Sequence, residues 1–262
     1  RHALDAGVEH IIIGIGGSAT NDGGAGMVQA LGAKLLDAQN NDIAHGGTGL
    51  ESLARIDISQ LDPRLAACRI EVACDVTNPL TGEEGASAVF GPQKGATPEM
   101  ILRLDRALTH YAQLIARDLD VNVLELAGGG AAGGMGAALY AFCGAQLRCG
   151  IEVVTDALHL DDCVADADLV VTGEGRIDSQ TIHGKVPVGV AKVAKRYNKP
   201  VIGIAGSLTA DVGVVHEHGL DAVFSVIYTV CTLDEALKNA SENVRMTARN
   251  VAATLKAGQQ LR

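Results

Sequence analysis

The sequence contains no tryptophan and few other aromatic residues, with four tyrosines and three phenylalanines among 262 residues. It also lacks a basic stripe, and its formal net charge is −10. Proteins that bind nucleic acids usually offer basic surfaces to the phosphates and aromatic rings to the bases. The composition therefore argues against a nucleic-acid partner, and it implies that an anionic substrate needs a local concentration of positive charge.

Long apolar runs are missing as well. No stretch approaches the ~20 apolar residues of a membrane-spanning helix, and no secretory signal is visible. None of the six cysteines stands in a Cys-x-x-Cys pair, so we expect reduced and mostly buried thiols. We therefore expect a cytoplasmic protein without a membrane partner.

Glycine, in contrast, is abundant, with 32 residues gathered in a few clusters. The first cluster, residues 14–26, reads Gly-Ile-Gly-Gly-Ser-Ala-Thr-Asn-Asp-Gly-Gly-Ala-Gly, between an apolar strand at 10–15 and a helix at 22–31. Unpaired N–H groups at such a junction attract phosphate or carboxylate oxygens, and glycine lets a ligand approach the main chain. The predicted contacts are Gly16, Gly17, Ser18 and Asn21. Asp22 adds a negative charge that a metal–phosphate site could use.

The same loop also matches a dinucleotide fingerprint, Gly14-x-Gly16-x-x-Ala19, with Asp37 near the expected acidic position. This match keeps a nucleotide-linked (NAD-type) oxidoreductase open as an alternative. Two features disfavour it. Asp22 would repel a pyrophosphate, and the strand ending at Asp37 leads into a predicted hairpin, 33–37 with 42–44, instead of a helix.

Three further segments carry candidate site residues. Asp75 directly follows an apolar strand at 70–73 and could bind a metal or accept a hydroxyl proton, or simply cap a turn. Lys94, between two turn glycines, could hold an anion or be a solvated turn lysine. A second glycine loop at 128–136 leads into another helix. This loop could either bind an anion or allow the start of the helix to pack closely. Its candidate anion contacts are Gly129, Gly130 and Gly133.

The densest mixture of charges follows the predicted strand 168–172. Glu174 and Asp178 could bind a divalent cation, while Arg176 and Lys185 could neutralise phosphate oxygens. Phosphoryl transfer depends mainly on positioning and charge neutralisation. It therefore requires the groups found here: carboxylates, cations and loops whose amide groups can bind anions.

Strands and helices alternate along the chain, which predicts an α/β fold with parallel sheets. A helix capped by Thr97 should run from residue 98 to about 119, and a long helix beginning at Thr232 should close the chain. Further helices and strands are predicted at 186–196, 200–205 and 222–227. We place a domain boundary near 166–168, giving domains 1–167 and 168–262.

Taken together, the two glycine loops, Cys-Asp-Val-Thr-Asn-Pro-Leu, Phe-Gly-Pro-Gln-Lys-Gly-Ala and Thr-Gly-Glu-Gly-Arg-Ile-Asp resemble the bacterial glycerate kinase family over essentially the whole chain. The resemblance implies ATP-dependent phosphorylation of D-glycerate to 2-phosphoglycerate, and two α/β domains with the active site between them. The second domain should be a Rossmann-like, three-layer unit. The family's N-terminal segment, with its Pro-Asp-Ser-x-Lys and Ala-Asp-Gly-Gly-Glu-Gly type motifs, is not in this sequence, so we expect residues 168–262 to form only half of that domain.

Under this resemblance, ATP and Mg²⁺ are the expected cofactors and D-glycerate the expected substrate. Asp75 or Asp178 would act as base or metal ligand, with Glu174 as a further metal ligand. The charge on substrate and phosphates would be offset by Arg176, Lys185 and Lys94. A homodimer and a non-catalytic binding module both stay open.

Overall fold

Apolar strands, glycine-rich turns and amphipathic helices recur along the chain. In the computed structural model, which describes residues 1–260, they build parallel β-sheets with packed helices, so the predicted α/β class is confirmed. None of the helices in this range is long and apolar enough to cross a membrane. All six cysteines are free thiols, but only Cys143 is buried, so the expectation of mostly buried thiols was wrong.

The chain divides into two compact units, one covering Arg1–Val153 and the other starting at Val154. The boundary predicted at 167/168 lies further along the chain. The difference arises because the helical segment before it packs on the second unit, where Val164 is 2% exposed.

The first unit contains, in chain order, α1 (His2–Asp5), β1 (His10–Gly14), α2 (Ala25–Leu31), β2 (Lys34–Leu36), β3 (Arg55–Asp57), β4 (Arg69–Ala73), α3 (Ala86–Phe90), α4 (Pro98–Leu119), α5 (Ala131–Cys143), β5 (Gln146–Arg148) and the start of α6 (Gly150–Ala157). Short 3-10 helices cover Gly47–Ser52, Pro63–Ala67 and Pro92–Lys94. Strands β1, β4 and β5 form a parallel sheet in the order β1-β4-β5.

The second unit contains the rest of α6, then α7 (Leu160–Ala165), β6 (Val170–Ile177), α8 (Val186–Arg196), β7 (Val201–Leu208), β8 (Ala222–Ser225), α9 (Leu233–Lys238) and α10 (Ala240–Gln259), with 3-10 helices at Ser179–Ile182 and Val212–His218. Its strands form a second parallel sheet in the order β6-β7-β8. Helices α8 and α10 pack on this sheet.

Helix α4 organises the core of the first unit. It begins as predicted, with the Thr97 hydroxyl accepting the Met100 N–H and Pro98 at its first position. Its apolar face buries Leu108, Tyr111 and Ile115 completely. The Tyr111 ring stacks on Phe142 of α5, with 6.3 Å between ring centroids. A β-carbon at Gly23 would lie 2.8 Å from the Tyr111 ring, so the first glycine loop packs directly on this helix.

Some predicted elements differ from the structure. The predicted hairpin of 33–37 with 42–44 is present in part, since Leu36 forms an antiparallel bridge with Asp42 and the Ile43 N–H donates to the Leu35 carbonyl. The regular partner of β2 is instead β3, a strand that was not predicted. The closing helix is two helices, α9 and α10, that meet at Asn239, although the Thr232–Glu235 capping box is present as predicted. Strand β6 continues to Ile177 because its last residues still pair with β7.

Residues 33–68 leave the parallel sheet and form an antiparallel arm. Several polar contacts tie this arm to α4, among them a hydrogen bond of 2.7 Å between His110 Nε2 and the Leu53 carbonyl. The Asp118 carboxylate accepts the Ile56 N–H at 2.8 Å, the Arg117 guanidinium donates to the Ala54 carbonyl, and Arg103 pairs with Glu51. The tip turns through Asp37, whose carboxylate accepts the N–H groups of residues 39 and 41.

An ion cluster around one buried carboxylate joins the three strands of the first sheet. Glu71 of the central strand is 3% exposed and contacts Arg148 of β5 at 2.6 Å, His10 of β1 at 2.7 Å and Arg69 at 3.0 Å. The hydrogen bond from Arg148, followed by those from His10 and Arg69, outweighs burial and lowers the pKa of the Glu71 carboxyl from 4.5 to about 2. The carboxylate therefore stabilises the fold mainly in its ionised form.

Glu71→Gln should lower the free energy of unfolding by about 2 kcal/mol near neutral pH. The loss stays below that of a fully buried pair because His10 and Arg69, which lose their acceptor, are largely exposed and can rehydrate. Urea denaturation measures it, with exposed Glu125→Gln as the matched control.

The pH dependence has a defined sign. The pKa of Glu71 is lowered on folding, so its stabilisation is complete above pH 4.5 and is lost as the pH falls toward 2. Wild type and Glu71→Gln should therefore converge in stability through this window. A difference that stays constant from neutral pH down to about pH 2 would contradict the assignment.

Candidate functional site

The first glycine loop follows β1 and leads to α2, but its amide groups are not simply available to a ligand. The Asp22 carboxylate accepts the N–H groups of Gly24 at 3.0 Å and of Gly26 at 3.2 Å. The N–H of Gly23 donates to the Gly133 carbonyl at 2.9 Å. The prediction that the start of this helix itself holds an external anion is therefore corrected, because Asp22 already serves as an internal anion there.

Lys94 supplies the positive charge beside this loop. Its ammonium group donates to the Ser18 hydroxyl at 2.9 Å and to the Thr20 carbonyl at 2.6 Å. Burial lowers the pKa of Lys94, while the nearby charge of Asp22 opposes this shift. Lys94 is thus a partly buried cation held by the loop and not a freely solvated turn lysine.

The two predicted glycine loops pack on each other. Gly134 has a φ of +94°, and a β-carbon there would lie 2.6 Å from the α-carbon of Gly23. Gly129, Gly130 and Gly133 are buried, and a β-carbon on any of them would lie within 3 Å of a backbone carbonyl oxygen. These three glycines therefore permit close backbone packing, and the residues of this loop that line the cavity are Ala131 and Ala132.

Asn21 lies beside this packing and not in the cavity lining. Its side-chain amide donates to the Ser87 hydroxyl at 2.9 Å, and Ser87 is completely buried. The Asn21 Oδ1 atom is buried and has no hydrogen-bond partner among residues 1–260. Asn21 thus holds the loop in place through Ser87 and does not line the cavity.

Asp75 stands at the carboxyl end of β4, the central strand of the first sheet. Its Oδ1 atom accepts the N–H of Gly150 at 2.7 Å and the thiol of Cys149 at 3.3 Å. The side chain is therefore fixed at the start of α6 and is not part of the Thr77–Leu80 turn.

A cavity of about 250 Å³ brings these groups together in the first unit. Gly16, Gly17 and Ser18 line one part of it, and Asp75 and Lys94 contribute opposite charges. Cys74, Val76, Phe90 and Gln93 are among its other lining residues. A space of this size suits a small acid or part of a triphosphate better than a whole nucleotide.

The second unit holds a separate polar cluster at the carboxyl end of β6. Asp178 is its centre, with Arg176 Nε at 3.2 Å from Oδ2 and Lys185 Nζ at 3.5 Å from Oδ1. Asp178 also caps the following 3-10 helix, where its Oδ1 accepts the Gln180 N–H at 3.0 Å. The Glu174 Oε2 atom is buried and has no partner among the described residues.

The predicted metal ligands fall into both units, with Asp75 in the first and Glu174 and Asp178 in the second. Within residues 1–260, no three or more His, Cys, Asp or Glu side chains are grouped so that they could hold a metal ion.

The dinucleotide alternative lacks its structural context. The strand after α2 pairs with β3 outside the parallel sheet, so within residues 1–260 Asp37 belongs to no β-α-β unit that could place it against a ribose. The Asp37 carboxylate instead holds its own turn, accepting the Asn41 N–H at 2.9 Å.

Sequence reasoning missed several residues that shape the site. The Thr20 carbonyl holds Lys94, and Cys149 and Gly150 hold Asp75. One signal was available for the last pair: parallel strands end at one edge of a sheet, so residues just after β4 and just after β5 must meet. The sequence pattern did not reveal β5, because its three residues are too few to show a period.

Comparison with known proteins agrees with the geometry. A sequence model described as the glycerate kinase family matches residues 1–256. The chain is 65% identical to a glycerate 2-kinase of Escherichia coli K12, over 98% of this chain and 68% of that protein. It is 53% identical to a glycerate kinase of Bacillus subtilis 168, over 99% of this chain and 68% of the relative.

A solved structure is also similar. It is the crystal structure of a Salmonella typhimurium LT2 protein that carries the provisional name glycerate kinase 2. The identity is 85% and the TM-score 0.87, over 99% of this chain and 68% of that one. The family match and these relatives support the kinase interpretation and not the NAD-linked alternative. The chain belongs to the glycerate kinase family.

Proposed function

We propose that the protein is a glycerate 2-kinase, which transfers the γ-phosphoryl group of ATP to the 2-hydroxyl of D-glycerate and releases 2-phosphoglycerate and ADP. Membership of the glycerate kinase family supports the reaction class. Because ATP is the phosphoryl donor, we also infer a cytoplasmic location.

The observation that carries the proposal is the cavity of the first unit. It combines a partly buried cation, Lys94, with a carboxylate, Asp75, and with the hydroxyl of Ser18. Its volume of about 250 Å³ fits a three-carbon acid together with the transferring phosphoryl group. The rest of the nucleotide would lie outside it.

Lys94 would stabilise the negative charge that develops on the transferring group. A preorganised cation in a partly desolvated site acts more strongly than one in water, and it needs no reorganisation during the reaction. The two oxygen atoms that hold Lys94, from Ser18 and Thr20, keep its ammonium group beside the loop. Gly16 and Gly17 leave the loop backbone open on the cavity side.

Asp75 would accept the proton of the 2-hydroxyl group. It is the carboxylate of the cavity, and both bonds that orient it end on Oδ1. Asp178, the other candidate base, has both oxygen atoms occupied by Arg176, Lys185 and an amide. We therefore infer that Asp178 orients the two cations, which would neutralise phosphate oxygens of ATP.

Glu174 fits a Mg²⁺ site. Its Oε2 atom is a buried acceptor without a partner among residues 1–260, and no cation forms an ion pair with Glu174 there. Mg²⁺ is commonly bound by one or two carboxylates together with substrate phosphates and water, so a large cluster of ligands is not needed. When bound, the ion would offset charge on the phosphate oxygens.

Lys94→Met should reduce kcat/KM for D-glycerate by about 100- to 1,000-fold, because it removes the cation while keeping most of the apolar stem. The effect is measured as the rate of ADP release by the variant, compared with that of the wild-type protein. Lys34→Met, at an exposed position of β2, is the matched control and should stay near wild type. A Lys94→Met enzyme within threefold of wild type would remove Lys94 from the mechanism.

Asp75 has two proposed roles, as acceptor of the Gly150 N–H and as the base, and substitutions can separate them. Asp75→Asn can still accept the Gly150 N–H, so its unfolding free energy should change by less than about 1 kcal/mol. Its kcat should nevertheless fall by at least ~100-fold, because a neutral amide cannot take a proton. Asp75→Ala should lose both functions. Steady-state kinetics and urea denaturation of both variants measure the two roles. An active Asp75→Asn enzyme would exclude Asp75 as the base.

Lys185→Ala should raise the KM for ATP and lower kcat, together reducing kcat/KM by at least ~10-fold, since it removes one of the two cations beside Asp178. Lys192→Ala, at an exposed position of α8, the helix that Lys185 precedes, provides the control. Steady-state kinetics with varied ATP measures both. Equal kcat/KM values for the two variants would contradict a phosphate-binding role.

A further inference from the structure

We propose that Cys149 and Gly150 are positioning residues that fix the Asp75 carboxylate for the reaction. This inference rests on the proposed function of Asp75 as the base. Neither residue needs to touch substrate. Their effect would be exerted through the orientation of one carboxylate oxygen.

The geometry assigns both hydrogen bonds to the same atom. The Gly150 N–H lies 2.7 Å from Asp75 Oδ1, and the Cys149 sulfur lies 3.3 Å from it. No residue in the described range 1–260 donates a hydrogen bond to Oδ2. The two donors thus determine which oxygen is engaged by the protein and which is left for a proton from the substrate.

Gly150 contributes a second feature, the space that the carboxylate occupies. A β-carbon at this position would lie 3.1 Å from Oδ2 and 3.2 Å from Oδ1 of Asp75. These distances are shorter than ordinary van der Waals contacts, so the carboxylate would have to move by a few tenths of an ångström. Gly150 does not have a positive φ, so the backbone itself accommodates alanine.

The sheet makes this arrangement rigid. Ala73 and Arg148 are paired at the ends of β4 and β5, and the N–H of Cys74 extends the ladder by donating to the Arg148 carbonyl at 2.9 Å. Cys149 directly follows β5, and Asp75 lies two residues after the last residue of β4. Functional groups supported by regular elements hold their geometry better than groups on loops.

Gly150→Ala is the sharpest test because stability and activity should change in opposite ways. Alanine favours the first turn of α6, so the melting temperature should stay the same or rise. The kcat for D-glycerate phosphorylation should fall by about 10-fold with little change in the KM for ATP, since a displaced base is misaligned only for the chemical step. A variant with wild-type kcat would overturn the proposal.

Cys149 is tested by comparing two replacements. Cys149→Ser keeps a donor and should stay within about threefold of wild type, whereas Cys149→Ala loses the donor and should lose about 10-fold in kcat. Cys163→Ala, at an exposed position, controls for loss of a thiol. Equal activity of the Ser and Ala variants would show that the thiol does not act through its hydrogen bond.

A chemical readout separates this inference from the proposed reaction. Burial, and then the hydrogen bond to Asp75 and the charges of Asp75 and Glu152, raise the pKa of the Cys149 thiol, while the Ile151 amide lowers it. Asp75→Asn should therefore increase the thiolate fraction. Iodoacetamide labelling of Cys149, followed by peptide mass spectrometry with exposed Cys163 as internal standard, should speed up about threefold or more.

The outcomes are distinguishable. Faster labelling of Cys149 in Asp75→Asn, without any phosphorylation of D-glycerate by the wild-type protein, would leave the contact in place and refute the proposed function. Unchanged labelling would refute the contact itself, and with it the positioning role, whatever the activity of the wild-type protein.

Discussion

The site of the first unit depends on how closely two stretches of backbone can approach. Gly133 and Gly134 of the second glycine loop lie directly against Thr20 and Gly23 of the first, at distances that leave no room for a β-carbon. A hydrogen bond from the Gly23 N–H to the Gly133 carbonyl joins them. This contact fixes the path of residues 20–24, and through it the carbonyl that holds Lys94.

Charge in the loop is arranged around an internal anion. The Asp22 carboxylate satisfies two amide groups at the start of α2, so the helix is capped by the protein itself. Lys94 is then the residue that gives the cavity its positive character, partly balanced by Asp22. In the second unit Asp178 has a similar relation to Arg176 and Lys185. In both units a carboxylate organises positive or hydrogen-bond-donating groups at the end of a strand.

Local signals predicted much of this fold. The Thr97 cap, the buried face of α4 and the Thr232–Glu235 box depend on neighbouring residues, and the structure contains all three. Long-range pairing was not accessible in the same way. Strand β3 has only three residues, so its pattern did not predict that it would pair with β2.

The candidate site shows the same division. Residue types and their place after strands pointed to Asp75, Lys94 and the charged segment after β6. What each carboxylate or glycine touches could not be read from the sequence, because these contacts join residues that are distant in the chain. Gly130 was thus a candidate ligand contact and is instead packed against the Pro79 carbonyl.

The antiparallel arm has an implication for how such proteins can vary in length. Residues 33–68 are attached to the side of α4 through Asp118, Arg117 and Arg103, while the order of the parallel sheet passes directly from β1 to β4. The exposed turn after Asp37 is therefore independent of the sheet register. Insertions or deletions there would be absorbed locally, which makes this tip a natural place for lineage-specific additions or for attaching a probe.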